Sequence, residues 1–282
     1  MSATKIPWAD SSWNPIRYRC LLGGDNGWMC TKVSPGCLNC YAEKINLRFG
    51  NGLYFYDHGS YGEFRLDARV LDQPLHWRKP RRVFVYSMGD LFHEKIPFEY
   101  ITRVFDVMRD MVAHKWFALT KRPCRMAEWI DGEVLRPHIS IGVSVESEKY
   151  LYRINALNEI AAAVKFVSLE PLLEEIHIEG YLKRLSWVIC GPETGPGRRP
   201  CKIKWIESII EQCDATGVPV FVKALPIGKR ISHDPAEWPE QLQRREYPLT
   251  IRRQDYRQAV GAAPGFLGDE KPEAVIRRAR GD

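Results

Sequence analysis

Six short apolar runs recur through the middle of the sequence, and their spacing constrains the fold more than any other feature. They are rich in β-branched and aromatic residues and cover 83–86, 116–119, 139–143, 164–167, 187–189 and 218–222. Runs of this kind predict buried strands. Their starts are 23 to 33 residues apart, and the intervals carry helix-like patterns at 100–112, 147–161 and 204–213. This spacing is typical of βαβ units with parallel strands.

Six such units, with a first strand predicted around residues 13–19, approach the repeat number of a (β/α) barrel. We therefore predict an α/β fold with parallel strands, as a partial or complete TIM-type barrel; a doubly wound open sheet is the alternative. The barrel domain is predicted over residues 1–225, with a Gly- and Tyr-rich insertion at about 51–78 that forms a loop or lid. Residues 226–282 are predicted to be a C-terminal extension, partly disordered and loosest from residue 262 onward.

Composition excludes several classes of protein. The chain of 282 residues is 45% hydrophobic and 27% charged, which is typical of a folded globular protein and not of a disordered or fibrous one. No apolar run is long enough to span a bilayer, and the first residues lack the basic and apolar segments of a signal peptide. We therefore expect a cytoplasmic protein without a membrane partner. The net charge of +6 is too small to identify a polyanionic partner.

The eight cysteines are more informative, because in a reducing compartment clustered cysteines favour metal ligation or catalysis. Cys30, Cys37 and Cys40 form a C-x6-C-x2-C motif, bent by a Pro-Gly pair, that runs into a helix-like segment at 41–46. Three local thiolates facing one point suit a [4Fe–4S] cluster with one iron left open. Two alternatives stay open: Cys20 as fourth ligand of a zinc or iron–sulfur site, and thiols that bind no metal. The other cysteines are interpreted as packing residues: Cys124, Cys190, Cys201 and Cys213.

Polar or glycine-rich residues follow every predicted strand. Because the carboxyl ends of parallel strands meet at one edge of the sheet, these residues are predicted to converge on a ligand site. The candidates for catalysis are Asp90, Lys121, Glu146 and Glu170. The candidates for cofactor binding are Ser87, Met88, Gly89, Asp90, Ser144, Glu146, Gly191 and Glu193. Helix N-caps and salt bridges are the structural alternatives for the same side chains.

Basic residues at the same strand ends indicate an anionic ligand. Lys121, Arg122 and Lys223 are candidates for binding a carboxylate or a phosphate. A second basic cluster, at 198–204, lies close in sequence to two tryptophans, and charge with stacking would suit a nucleobase or nucleic-acid substrate. Solvated surface charge is the alternative for that cluster. His93 is interpreted as structural or solvated.

Several short motifs occur in an order that resembles a known family. They are Trp13-Asn14-Pro15, the cysteine segment 30–43, Ser87-Met-Gly-Asp90, Leu119-Thr-Lys-Arg122-Pro, Gly142-Val-Ser-Val-Glu146, Ser168-Leu-Glu-Pro171 and Gly195-Pro-Gly-Arg198. Over about residues 7–225 the chain resembles the phage-associated three-cysteine proteins described as radical SAM-like. Those proteins are often encoded beside a companion called the three-Cys-motif partner.

This resemblance implies a partial TIM barrel whose [4Fe–4S] cluster, on Cys30, Cys37 and Cys40, binds S-adenosylmethionine through its open iron. Reduction by an external electron donor would cleave the sulfonium to a 5′-deoxyadenosyl radical, which abstracts hydrogen from a substrate. The resemblance also implies that the segment ending in Asp90 holds the amino group of the ligand. The chain departs from the expected sequence twice. It has six residues between its first two cysteines, where three are usual in radical SAM proteins, and it has Pro192 where a glycine is expected.

Two hypotheses for the function follow from these residues. The first is a radical SAM-type enzyme that acts on a nucleobase, a nucleic acid or a related molecule, with the three-Cys-motif partner protein as a candidate partner. The second is a non-catalytic module, stabilised by an iron–sulfur cluster or zinc, that binds nucleic acid or a protein partner. Bound iron and cleavage of S-adenosylmethionine separate the two.

Overall fold

The structure is a computed structural model and describes residues 4–20, 27–55 and 62–248. Its strands are β1 (Ser11–Trp13), β2 (Ile16–Cys20), β3 (Gly62–Leu66), β4 (Arg82–Val85), β5 (Lys115–Thr120), β6 (Leu135–Ser144), β7 (Ala162–Leu169), β8 (Trp187–Cys190), β9 (Val220–Val222), β10 (Leu225–Ile227) and β11 (Arg230–Ser232). Its helices are α1 (Tyr41–Phe49), α2 (Ala68–Leu71), α3 (Phe98–Asp110), α4 (Pro123–Ile130), α5 (Tyr152–Asn158), α6 (Glu179–Leu182) and α7 (Ile203–Thr216). None of these helices is long and apolar enough to cross a membrane.

Seven strands form one parallel sheet in the order β1-β4-β5-β6-β7-β8-β9. Each strand along the chain joins the sheet on the same side of the preceding one. A doubly wound sheet would reverse this order at a switch point, so that alternative is wrong. Within the described residues β1 and β9 stay unpaired with each other, and the sheet is a half-barrel flanked by helices. The prediction of an α/β fold with parallel strands is confirmed.

The two faces of the sheet bury different side chains. All seven helices contribute buried residues to one core, which covers one face. The opposite face carries a second core of aromatic rings, to which no helix of the described residues contributes. At its centre the ring of Trp8 lies 4.8 Å from Phe84, 5.6 Å from Phe117 and 6.1 Å from Trp187, measured between centroids. The N-terminal segment therefore packs on the face of the sheet to which the described helices do not contribute.

The six strands predicted from apolar runs are confirmed as β4 to β9, but the single first strand at 13–19 is wrong. The chain leaves the sheet after Trp13 and forms β2, which pairs antiparallel with β3 from Ile16↔Leu66 to Cys20↔Gly62. Pro15, which lacks an N–H group, separates the two strands. The helix predicted at 147–161 is shorter, because a 3-10 turn at 148–150 precedes α5.

The two segments outside the repeating pattern both carry regular structure. The insertion at 51–78 contains β3 and α2, and Asp67 caps α2 by accepting hydrogen bonds from the backbone N–H groups of Arg69 (3.1 Å) and Val70 (3.3 Å). Beyond residue 225, a segment runs along the edge of β9, where Val222 N–H donates to the carbonyl of Arg244 (2.8 Å). The start of the predicted C-terminal extension is thus packed on the half-barrel. The residues predicted to be loosest, from 262 onward, lie outside the described residues.

Candidate functional site

A cavity of about 210 Å³ lies at the carboxyl ends of the parallel strands. The three motif cysteines line one side of it: Cys30, Cys37 and Cys40. Its other walls include Ser87, Gly89, Asp90, Lys121, Arg122, Ser144, Ser168, Glu170, Glu193, Thr194 and Lys223, and its apolar part includes Ile6, Trp8, Phe84 and Leu119. The predicted convergence of strand-end residues is therefore observed for most of the candidates. Met88, Glu146 and Gly191 do not line the cavity.

Residues 30–40, which we call the cysteine loop, bring their three cysteines to this cavity. A 3-10 turn at Pro35–Cys37 bends the chain, as the Pro-Gly pair predicts. Cys40 is the N-cap residue of α1, so its sulfur lies at the start of that helix. The first residue of α1, Tyr41, donates its hydroxyl proton to the carbonyl of Ser87 (2.6 Å), which fixes the helix start against the end of β4.

The three thiols lie close enough together to influence one another. Burial, followed by the carboxylate of Asp90, raises the pKa of the Cys30 thiol to about 12, and Cys37 and Cys40 add to this rise. Burial also raises the pKa of Cys40. A catalytic nucleophile needs the opposite shift, toward the thiolate. A buried thiolate here requires a compensating positive charge, and a metal centre supplies one.

The chemistry of the donor groups bears on which metal centre the cavity could hold. In the described ranges, no group of three or more His, Cys, Asp or Glu side chains is gathered around a point where one ion could sit. Structural zinc requires such convergence, with each sulfur about 2.3 Å from the metal. In a [4Fe–4S] cluster each thiolate binds a different iron, and three cysteines that line one cavity supply that type of donor. Cys20 is buried in β2 and does not line the cavity, so a fourth ligand from that position does not fit.

Asp90 is the centre of a buried hydrogen-bond network. Its Oδ1 accepts hydrogen bonds from the backbone N–H of Phe92 (3.0 Å) and the hydroxyl of Thr120 (2.7 Å). Its Oδ2 accepts from the backbone N–H of Lys121 (3.0 Å) and from Nη1 of Arg122 (3.1 Å). A carboxylate has about four acceptor sites, and these bonds occupy them. Asp90 therefore ties the end of β4 to the end of β5 and caps none of the described helices, and its role as an acceptor for a ligand stays a prediction.

Glu146 follows β6 and is fully buried. Its Oε2 is 3.0 Å from Nη1 of Arg153, which itself is only 1% exposed. Its Oε1 accepts a hydrogen bond from the backbone N–H of Gly36 (3.4 Å), inside the cysteine loop. A Cβ at Gly36 would lie 3.1 Å from the carboxyl carbon of Glu146, so glycine permits this close approach. The structure therefore places Glu146 behind the cysteine loop, as a buried support for it; its contact with a cofactor or substrate stays a prediction.

Glu193, in the loop after β8, is a second support of the cysteine loop. Its Oε2 accepts hydrogen bonds from Nδ2 of Asn39 (2.9 Å) and from the backbone N–H (2.8 Å) and Nε (3.0 Å) of Arg199. Arg199 also donates from Nη2 to the carbonyl of Pro35 (2.9 Å). Although burial alone would raise the pKa of Glu193, hydrogen bonds from Arg199 and Asn39 hold it below its ordinary value. The carboxylate therefore stays charged and fixed at the cavity wall, and its contact with a cofactor stays a prediction.

Glu170, Lys121 and Lys223 are further charged residues that line the cavity. Oε1 of Glu170 is 2.8 Å from Nζ of Lys223, and Oε2 accepts a hydrogen bond from the hydroxyl of Ser168 (3.3 Å). Lys121 also lines the cavity, and its positive charge lowers the pKa of Cys40. Among the described residues, no carboxylate forms an ion pair with Lys121. Lys121 therefore remains a free cation beside the thiols, as its prediction as an anion-binding residue requires.

The sequence analysis named Arg122 and His93 but did not predict that both hold the residue after the first cysteine in place. Arg122 donates from Nη2 to the carbonyl of Thr31 (3.2 Å), 91 residues away in sequence, and from Nε to Glu94 (2.7 Å). Nδ1 of His93 accepts the backbone N–H of Lys95 (3.1 Å), so Nε2 carries the proton and donates to the hydroxyl of Thr31 (2.7 Å). Burial, followed by the charge of Arg122, lowers the pKa of His93 to about 4. The structural interpretation of His93 is confirmed, and Arg122 binds the protein's own groups.

The fold and the site define an α/β half-barrel protein with three thiols on one cavity at the carboxyl ends of its strands. Over residues 3–248 the chain matches a protein family described as protein of unknown function (DUF5131), and it belongs to that family. No curated protein and no solved structure matches the chain.

Proposed function

We propose that this protein is a radical SAM-type iron–sulfur enzyme. One observation carries the proposal: the three cysteines of the C-x6-C-x2-C motif line a single cavity at the carboxyl ends of parallel strands, where ligands of α/β folds bind. The seven-stranded half-barrel supports a partial TIM-type architecture. The resemblance to phage-associated three-cysteine proteins agrees with both features and is part of the proposal, as is a three-Cys-motif partner protein.

Cys30, Cys37 and Cys40 are the residues that would hold a [4Fe–4S] cluster. When bound, the cluster would supply the electron that cleaves S-adenosylmethionine to methionine and a 5′-deoxyadenosyl radical. The chain's own residues prepare the site for this chemistry. Arg122, through the carbonyl of Thr31, and Glu146, through the N–H of Gly36, hold the cysteine loop at two points.

The cavity also contains groups suited to a ligand with a carboxylate and hydroxyl groups. Lys121 supplies the cation for a carboxylate. Other lining residues supply further donors and acceptors, namely the hydroxyls of Ser87, Ser144 and Ser168 and the carboxylate of Glu170. For the substrate we propose a nucleobase or nucleic acid, because the basic cluster at 198–204 follows the strand end that carries Glu193 and includes Lys202, whose ammonium lies 5.3 Å from the ring centroid of Trp205.

Anaerobic reconstitution with iron and sulfide tests the proposal. The purified chain should bind about four iron and four sulfide ions per chain. It should then form 5′-deoxyadenosine from S-adenosylmethionine and dithionite. Changing Cys30, Cys37 or Cys40 to Ala should abolish iron binding. The exposed Cys124, which lies outside the cavity, provides the matched control, and Cys124→Ala should bind iron like the wild type.

Two results would contradict the proposal. Bound zinc without cleavage of S-adenosylmethionine would indicate the non-catalytic module. Loss of iron on Cys20→Ala alone, in a variant that still folds, would indicate a fourth protein ligand and so a closed cluster.

A further inference from the structure

An apolar stripe on the surface continues directly from the cysteine loop along α1. Leu38, Tyr41, Ile45 and Phe49 follow one another at intervals of three or four residues, which places them on one side of the helix and its approach. Their exposed fractions are 60%, 41%, 38% and 69%. We call these four residues the α1 stripe.

The stripe is the main concentration of exposed large hydrophobic side chains in the described part of the chain. Nine such side chains are exposed there, and six of them lie between residues 33 and 54: the α1 stripe with Val33 and Tyr54. Single exposed hydrophobic residues are normal on a protein surface, but a contiguous group of them marks an interaction site. A hydrophobic surface beside the cysteine loop therefore indicates that a partner docks there.

The charges around the stripe define the kind of partner. Between residues 27 and 50 the only acidic residue is Glu43, and it is buried and paired with Lys32 at 3.0 Å. Lys44 and Arg48 are exposed on the same helix, and Arg48 lies over the ring of Phe49, 4.8 Å from its centroid. Lys44 donates to the carbonyl of Pro196 (2.9 Å), a contact that leaves its charge uncompensated. The surface is thus apolar in the centre and positive at its rim, which complements an acidic partner.

Three other occupants fit these charges less well. A second copy of the chain carries a net charge of +6 and would be repelled. Residues 249–282 of the same chain contain seven basic and five acidic residues, so this segment is also positive. Nucleic acid has the required negative charge, but Arg48 already covers the ring of Phe49, the hydroxyl of Tyr41 is bound to the carbonyl of Ser87 (2.6 Å), and Leu38 and Ile45 are aliphatic, so the stripe is a poor platform for stacked bases.

We propose that the α1 stripe and its basic rim dock an acidic electron-carrier protein. This inference rests on the proposed function and gives its external electron donor a place on the molecule. Leu38 lies between Cys37 and Cys40, and Cys40 caps α1, so a protein docked on the α1 stripe lies directly against the cysteine loop. Transient electron-transfer complexes bury small interfaces, and a stripe of four residues with a charged rim is of that kind. In the proposed transfer a reduced flavin hydroquinone in the carrier would lose one electron to become a semiquinone, and a cluster held by Cys30, Cys37 and Cys40 would gain that electron.

A flavodoxin, which is an acidic protein carrying FMN, is the probe for this inference. Its oxidised form is titrated into the full chain by calorimetry, a measurement that does not depend on metal or activity. In a second measurement, the loss of flavin hydroquinone absorbance follows electron transfer to the reconstituted protein. Ile45→Glu and Phe49→Glu place negative charge on exposed positions of the stripe. Val134→Glu is the matched control, because Val134 is 72% exposed and lies outside the stripe.

We expect the wild type to bind flavodoxin more weakly as salt is raised. Ile45→Glu and Phe49→Glu should each weaken binding and slow flavin oxidation by about tenfold, with Val134→Glu unchanged. Reduction by dithionite should be equal in all variants. Equal effects of Val134→Glu and Ile45→Glu would overturn the inference, and so would stripe variants that weaken binding of single-stranded DNA but not of flavodoxin. A protein that dithionite reduces and flavodoxin neither binds nor reduces would overturn the docking surface alone, whereas a protein that takes up no iron would overturn the proposed function.

Discussion

The ion pair between Glu146 and Arg153 allows the sharpest test of how the cysteine loop is supported. Both side chains are buried, at 0% and 1% exposure. Arg153 donates from Nη1 to the carbonyl of Ser144 (2.8 Å) and to Glu146 (3.0 Å). Arg153→Met keeps most of the apolar stem of the side chain and removes the charge. Glu146 then remains as a buried carboxylate whose side chain, among the residues that the structure describes, keeps one hydrogen bond, from the backbone N–H of Gly36.

The expected cost follows from the burial of this pair. Removing one partner of a fully buried ion pair costs about 3–5 kcal/mol, because the remaining charge is uncompensated. For a domain of this size, about 1 kcal/mol corresponds to a shift in Tm of roughly 2–4 °C. We therefore expect Arg153→Met to lower Tm by about 6–20 °C. The double variant Glu146→Gln/Arg153→Met removes both charges and should recover at least half of that loss.

Calorimetry of the wild type, Arg153→Met and the double variant measures the change in Tm. Iron content after reconstitution measures how well the cysteine loop is held. The single variant should also retain less iron, since Glu146 without its partner no longer holds Gly36 in place. The reasoning is refuted if the double variant is as unstable as Arg153→Met, because the cost would then arise from lost packing and not from an unpaired charge.

Three further predictions follow from other parts of the molecule. Trp8→Ala empties the centre of the aromatic core and should cost about 3–5 kcal/mol in urea unfolding; a loss below about 1 kcal/mol would contradict the description of that core. Burial lowers the pKa of His114 to about 4 and also lowers that of His138, so the unfolded chain binds these protons first. The contribution of these two histidines to the free energy of unfolding should be fully present above about pH 6.5 and should be lost as the pH drops toward 4. A flat profile of urea midpoints over that range would show that the histidines make no such contribution. Arg199→Met should lower iron retention on gel filtration, whereas Arg230→Met, which breaks an exposed ion pair, should leave it unchanged; equal retention would show that Arg199 does not position the cysteine loop.

The order and direction of the main strands could be predicted from the sequence, because each buried parallel strand is an uninterrupted apolar run. The run beginning near Trp13 could not be divided correctly in this way. Its second half, β2, is defined by pairing with β3, more than forty residues later, and no local pattern encodes that partner. The insertion was predicted as a loop for the same reason, since strand β3 gains its structure from a distant segment.

The sequence predicts where the residues of the site lie better than it predicts what their side chains contact. The sequence places Glu146 and Glu193 correctly at strand ends, because a parallel sheet brings those ends together. It does not indicate that an arginine from the following segment, Arg153 or Arg199, neutralises each carboxylate and turns it toward the cysteine loop. Asp90 shows the same limit: its residue type suits a ligand, but four protein donors occupy its oxygens.

The length of the segment between the first two cysteines has a structural reason. Within these six residues, Thr31 is held by Arg122 and His93, and the Pro35–Gly36 pair is held by Arg199 and Glu146. These two anchor points lie at opposite ends of the six-residue segment, and the side chains that bind each of them come from the ends of different strands. Removing three residues, to give the usual radical SAM spacing, would leave room for one anchor point and would leave the side chains that bind the other without a partner. In this chain the distance between the cysteines is therefore set by the supports around the loop, and insertions or deletions there are expected to be tolerated less well than substitutions.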